Sequence, residues 1–247
     1  RDRSPSRGLG DVYKRQNGHL RATRLPEGWE DRDYVLPEVN ALYAVAFSEV
    51  ARVAEKLGND GGKLREASST IVKSMAKLSK GYLPMIYDAL EGRADYTPSS
   101  TAIMAHALLS RLGAFKEDAL LDGVVNKLMV KKRIVSIEGY AGQWLPFGVL
   151  VRPFPGPYLG DAEYHGAVVW PRETPYLLEV LSELGKSDVI KDILISNLDA
   201  TASDGALLYV PELYSLDGDE LVPVKNPAQF WSNWVDPYLA YLDVMRG

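Results

Sequence analysis

The amino-acid sequence predicts an all-α fold in which paired helices form a double-layered ring. Two observations lead to this prediction: segments with apolar residues at three-to-four spacing fill most of the chain, and very apolar segments alternate with amphipathic ones. An inner helix of such a ring is apolar nearly all round, whereas an outer helix keeps one polar face. A solenoid of helix pairs would give a similar alternation, but no repeat at a fixed period is present.

The composition is that of a globular protein with a sizeable core, since 46% of the 247 residues are hydrophobic. The formal net charge of −5 argues against binding to a nucleic-acid backbone. No apolar run reaches the roughly 18 residues that cross a membrane, so no membrane association and a cytoplasmic location are expected. The absence of cysteine excludes disulfides, thiolate catalysis and zinc–thiolate sites.

Residues 1–16 differ from the rest of the chain, because they are rich in Arg and Lys and lack apolar periodicity. The stretch SRGLGDVYKRQ resembles a translated sequencing adapter, and a disordered basic tail is the alternative. Both interpretations exclude residues 1–16 from the fold. The domain is therefore assigned to residues 17–247, and its true N-terminal part is expected to be missing.

The helices of the first half follow from periodicity and capping residues. A very apolar helix, expected to be buried on more than one side, ends at the NDGG stretch. An amphipathic helix follows, and then KGYLPMIYDALEG predicts a short extended segment. Ser99 or Ser100 can cap the next helix. The predicted helices of this half span residues 37–57, 64–78, about 99–112 and 117–130.

The second half begins with a long loop over residues 134–161 that is rich in Gly, Pro and aromatic residues, and such loops are usually functional when ordered. The stretch LLYVPELYSLDGD predicts a strand that breaks at Pro211 and leaves Glu212 at the rim of the ring. A last helix, capped by Asn226, is kinked at Pro237. The other predicted helices span residues 172–184 and 187–198.

Three segments combine acidic residues with indole rings: PEGWEDRDY, AEYHGAVVWPRETPY, and VPELYSLDG followed by NPAQFWSNW. Flat aromatic rings beside carboxylates suit sugars, because a pyranose has an apolar face that stacks on indole and hydroxyls that need polar partners. Other small polar ligands would also fit. The three histidines do not cluster along the chain, so no metal site is predicted.

The stretches PEVNALYAVAF, EYHGAVVWPRETPYLLEVL and PELYSLDGDELVPVKNPAQFWSNW resemble the catalytic domain of glycogen debranching enzymes of the amylo-alpha-1,6-glucosidase type. They also resemble the glucoamylase relatives. The resemblance covers most of residues 26–244 and implies an (α/α)6 toroid of the six-hairpin glycosidase kind, incomplete at its N-terminus. The WEDR stretch is closer to the glucoamylase pattern, whereas NALY, YHG…VWP and PEL are closer to the debranching pattern.

The resemblance implies an inverting glycoside hydrolase that releases glucose from an α-glucan or oligosaccharide without a cofactor. It makes Glu212 the general base. The glucoamylase pattern selects Glu30 as the general acid and the debranching pattern selects Asp31, so both stay open. A glucoamylase-type exo-α-1,4-glucosidase and a non-catalytic carbohydrate-binding toroid are the alternatives to debranching. No oligomeric state is predicted.

The candidate substrate-binding residues lie in the same three segments, and each has a structural alternative. The tryptophans could fill the core of the ring, and Arg172 and Glu173 could form an ion pair at a helix start. His165 could be a structural hydrogen-bonding residue, and Glu212 could pair with Lys225 in a turn. The candidates are Trp29, Arg32, Tyr164, His165, Trp170, Arg172, Glu173 and Trp231.

Overall fold

The computed structural model describes Trp29 and residues 34–115, 120–153, 158–160, 163–206, 209–224, 238, 240 and 241. Helices and short strands alternate in this part of the chain. The helices are α1 (Pro37–Lys56), α2 (Gly62–Leu78), α3 (Ser100–Ser110), α4 (Leu121–Leu128), a 3-10 helix (Pro171–Glu173), α5 (Thr174–Glu183) and α6 (Ser187–Ser203). The strands are β1 (Ile86–Asp88), β2 (Arg93–Asp95), β3 (Met129–Arg133), β4 (Trp144–Val149), β5 (Val168–Val169), β6 (Leu213–Asp217) and β7 (Glu220–Val224).

The helix bounds agree closely with the sequence prediction where periodicity and caps are both present. Helix α3 begins after Ser99, whose side chain accepts a hydrogen bond from the backbone N–H of Ala102. Most residues of α3 are buried, as expected of an inner helix, whereas α2 buries only Ser68 and Met75 along its length. Helices α1, α3 and α5 contact one another in succession, and α2, α4 and α6 pack beside them. The predicted contrast between a buried inner helix and a more exposed outer helix is therefore seen for α3 and α2.

Helix α1 packs on α2 and α3 through small side chains. Ala41, Ala44 and Ala51 are fully buried, and the hydroxyl of Ser68 donates to the carbonyl of Ala44 at 2.7 Å. Small residues let the two backbones approach closely, so this face of α1 is sealed by packing rather than by large apolar side chains.

The opposite face of α1 carries large apolar side chains that are exposed. The expectation that this helix is buried on more than one side is therefore wrong. Helical periodicity places these residues on one stripe of α1 that lies away from α2 and α3, which explains both the apolar sequence and the exposure. The exposed residues of this stripe are Val39, Leu42, Tyr43, Val50, Val53 and Leu57.

The chain is not purely helical, which corrects the all-α expectation. The structure contains the antiparallel pairs β1–β2 and β3–β4 and the three-stranded antiparallel sheet β5–β6–β7. Strands β3 and β4 occupy positions that the sequence predicted as the end of a helix and part of a long loop. Strand β6 begins at Leu213, so Glu212 precedes a strand and does not follow one as predicted.

No helix within the described ranges combines the length and the apolar character needed to cross a membrane.

Candidate active site

Glu212 is positioned by the sheet β5–β6–β7. It immediately precedes β6, whose residues Tyr214 and Ser215 pair with Val169 and Val168 of β5. Strand β5 leads directly into Trp170 and the 3-10 helix, so the sheet register brings the YHGAVVWPRE stretch beside Glu212. Two segments that are nearly fifty positions apart in sequence are therefore fixed next to each other by backbone hydrogen bonds.

The side chain of Glu212 is buried, with 2% of the residue exposed, and its Oε1 accepts a hydrogen bond from the hydroxyl of Tyr164. Burial raises the pKa of the Tyr164 phenol well above its usual value, and the bond to Glu212 and the negative charge of that carboxylate raise it further, against a smaller opposite effect of Arg172. Tyr164 therefore stays protonated over the physiological range and acts as the donor.

Trp170 holds Tyr164 in place through a hydrogen bond and a ring contact. Its Nε1–H donates to the carbonyl of Tyr164 at 3.1 Å, and the two rings meet edge to face with centroids 4.6 Å apart. The ring of His165 is nearly parallel to the indole, with centroids 5.9 Å apart, and the guanidinium of Arg172 lies 4.0 Å from the indole centroid. Because Trp170 is only 2% exposed, the structure favours packing over sugar stacking for this residue.

The residues after Trp170 divide between the surface and the interior. Arg172 is exposed, whereas Glu173 is buried and its backbone N–H donates to the carbonyl of Trp170 at 2.9 Å. Arg172 is exposed and His165 is half-buried, and both contact the indole. They are therefore better placed than Trp170 to contact a ligand.

Trp29 is held by the β1–β2 hairpin. The guanidinium of Arg93 lies 4.3 Å from the Trp29 ring centroid, and the Tyr34 ring is 5.2 Å away between centroids. Val35 exchanges two backbone hydrogen bonds with Tyr87, at 2.8 and 3.0 Å, which fixes the chain just after the WEDRD stretch. Four predicted site residues, Glu30, Asp31, Arg32 and Trp231, lie outside the described residues, and so does the distance from Glu212 to either candidate acid.

Sequence reasoning missed two residues that shape these clusters. Arg93 covers Trp29 from a strand more than sixty positions away, and no local pattern signals such a contact. The Ser215 hydroxyl accepts a hydrogen bond from the backbone N–H of Tyr158 at 2.5 Å. Ser215 follows Leu213 at the two-residue spacing of one face of a strand, which would have marked it as inward-facing if β6 had been predicted. Within the described ranges, no three acidic or histidine side chains form a group that could hold a metal ion.

Paired helices combined with small antiparallel sheets form a fold class that occurs in glycoside hydrolases. No family model matches the chain, and no curated protein matches it. In fold it is similar to solved structures of GH63 enzymes, which are (α/α)6 toroids. At the level of identity found, this likeness shows the fold alone.

Two of the similar structures are complexes of GH63 mannosylglycerate hydrolase from Thermus thermophilus. The complex with Tris aligns with a TM-score of 0.52 and 15% identity over 87% of this chain and 46% of the hydrolase. The complex with glucose aligns with a TM-score of 0.53 and 14% identity over 96% of this chain and 50% of the hydrolase. The chain therefore spans about half the length of these enzymes.

Proposed function

We propose that this chain is part of an inverting glycoside hydrolase and that it carries the general base, Glu212. The proposal rests on one observation above all: a buried carboxylate beside an aromatic cluster is held by a phenol donor, in a fold shared with a GH63 hydrolase. A carboxylate at a turn or on the surface would be expected to be solvated instead. The resemblance of the flanking sequence to debranching enzymes gives Glu212 the same role.

The proposed reaction uses two carboxyl groups. Glu212 takes a proton from a water molecule as the water oxygen attacks the anomeric carbon, and the bond from that carbon to the glycosidic oxygen breaks with inversion. The departing oxygen receives its proton from Glu30 or Asp31. In inverting enzymes the two carboxyl groups are roughly 6.5–9.5 Å apart, which leaves room for the water.

For the substrate we propose an α-glucan with an α-1,6-linked glucose stub, because NALY, YHG…VWP and PEL follow the debranching pattern. An exo-acting α-1,4-glucosidase of the glucoamylase type is the alternative, which the WEDR stretch supports. One similar solved structure is a mannosylglycerate hydrolase, so mannosylglycerate belongs in the same comparison. Isomaltose, maltose and mannosylglycerate offered in parallel separate the three, and we expect isomaltose to give the highest kcat/KM.

A non-catalytic carbohydrate-binding protein is a second candidate, because a buried Glu212 that accepts a hydrogen bond from Tyr164 would also suit a purely structural role. A binding protein would retain affinity for an oligosaccharide, measured by calorimetry, and release no glucose. An enzyme would release glucose that appears first as the β-anomer from an α-glucoside, which proton NMR detects within the first minutes. Initial release of α-glucose would contradict inversion.

A further inference from the structure

The position of Glu212 depends on Tyr164, which reaches it from another part of the chain. The phenol oxygen of Tyr164 donates to Oε1 of a carboxylate that is almost completely buried. A carboxylate with one oxygen fixed in this way cannot rotate freely about its last bond. Its second oxygen therefore has a defined direction, which a general base requires.

Tyr164 is itself fixed at both its backbone and its ring. Its carbonyl accepts the indole N–H of Trp170, and its ring is packed edge-on against that indole. The Arg172 guanidinium lies against the same indole ring. The phenol therefore cannot swing towards solvent without separating the Tyr164 and Trp170 rings.

One sheet positions both Glu212 and Trp170. Glu212 immediately precedes β6, Trp170 immediately follows β5, and β5 and β6 are hydrogen-bonded in register. Val151 and Leu213 pack in the same apolar cluster as Trp170. Tyr164 lies in the turn before β5 and is tied to this sheet through its hydrogen bond and ring contact with Trp170.

We propose that Tyr164 is a positioning residue that orients and supports Glu212 as the general base, instead of a substrate contact as its sequence context suggested. This inference rests on the proposed function. Hydrogen bonding to an ionised carboxylate favours the ionised form. The phenol therefore both aims the carboxylate and helps to keep it ready to accept a proton.

The test compares Tyr164→Phe with the wild type in the full-length protein. The ring is retained, so packing against Trp170 is preserved. We expect kcat to fall about tenfold with KM within about twofold, and the acid limb of the kcat/KM profile to move to higher pH by roughly one unit, the scale of one charge-assisted hydrogen bond. A raised KM with an unchanged pH profile would instead mark Tyr164 as a substrate contact and overturn the proposal.

A second readout does not require activity. Titration of the Glu212 carboxyl by carbon-13 NMR, with the signal assigned by its loss in Glu212→Gln, should show a higher midpoint in Tyr164→Phe. The matched control is Tyr214→Phe, which removes a buried phenol from β6 itself, where the ring packs edge to face on Phe147. An equal midpoint in the wild type and in Tyr164→Phe would overturn the positioning role. Absence of hydrolysis in the wild type would instead overturn the proposed function, so the two failures are distinct.

Discussion

Lys132 of β3 and Asp199 of α6 form a buried ion pair, with 2.7 Å between Nζ and Oδ2. The other oxygen of Asp199 accepts hydrogen bonds from the backbone N–H of Val135 at 3.0 Å, and from the backbone N–H and the hydroxyl of Ser136 at 2.6 and 2.7 Å. One carboxylate therefore joins α6 to the segment that leaves β3. Asp204 lies 3.3 Å from the same ammonium and is a second, weaker partner.

Replacement of Asp199 by Asn should lower the free energy of unfolding by about 3 kcal/mol, because it removes the main counter-charge of a buried ammonium. Lys132→Met should cost less, since Asp199 keeps its hydrogen bonds from Val135 and Ser136. Urea denaturation of both variants measures the difference. Equal stability of Asp199→Asn and the wild type would show that the pair has no net stabilising effect.

The same carboxylate gives a prediction for acid stability. Burial raises the pKa of Asp199, but the hydrogen bonds from Lys132 and Ser136 outweigh burial and hold the pKa below its usual value. The folded state then binds fewer protons than the unfolded state. The contribution is complete above about pH 4, the unfolded pKa, and is lost as the pH falls through the lower folded value.

The free energy of unfolding of Asp199→Asn should therefore depend less on pH in this acid range than that of the wild type. Chemical denaturation at a series of pH values between about 2.5 and 6 measures this pH dependence. Asp219→Asn, in the exposed β6–β7 turn, is the control and should leave the wild-type slope unchanged. A parallel loss of stability in Asp199→Asn and the wild type would refute the assignment.

Ser99 and Ser100 offer a matched pair at the start of α3. Ser99 caps the helix, with 3.3 Å from the Ala102 backbone nitrogen to its Oγ. Ser99→Ala should lower the free energy of unfolding by about 1 kcal/mol, the usual cost of losing an N-cap. The Ser100 hydroxyl is buried and has no hydrogen-bond partner among the described residues. Ser100→Ala should leave stability unchanged or raise it, and thermal unfolding that ranks the two variants the other way would contradict the capping role.

Gly148 is required by the contact between β4 and β5. A Cβ at this position would lie 2.9 Å from a methyl carbon of Val169, so Gly148→Ala should destabilise the fold by about 1–3 kcal/mol through overpacking. Gly123 in α4 has open space around it. Gly123→Ala should stabilise the helix by roughly 0.5–1 kcal/mol. Chemical denaturation gives both values, and a neutral Gly148→Ala would mean that β4 and β5 separate easily.

Periodicity and caps predicted the helices well, and the extended segment predicted at KGYLPMIYDALEG contains β1, but β3 and β4 were not predicted. The MVKKR stretch of β3 continues an apolar helical pattern, and β4 contains Pro146 and Gly148, which normally argue against a strand. Pro146 is tolerated because it pairs with Lys131 beside a register shift in β3. Such an irregularity depends on the partner strand, so it leaves no signal in the local sequence.

The contacts within the candidate site also could not be predicted from the local sequence. The sequence placed Glu212 and Tyr164 in two segments that were both predicted to contribute to the site. Their contact, however, follows from the pairing of β5 with β6. The indole side chain of Trp170 was compatible both with stacking on a sugar and with packing in the core. Its burial is a consequence of packing against Tyr164 and Arg172, which residue type alone does not specify.

The most direct test of the proposed function is the hydrolysis rate of Glu212→Gln in the full-length protein. Loss of the general base should lower kcat on the preferred α-glucoside by a factor of about 100 or more. Glu220→Gln, which changes an exposed carboxylate at the other end of the same sheet, should retain the wild-type rate. Turnover of Glu212→Gln equal to that of the wild type would contradict the central claim that Glu212 activates the attacking water.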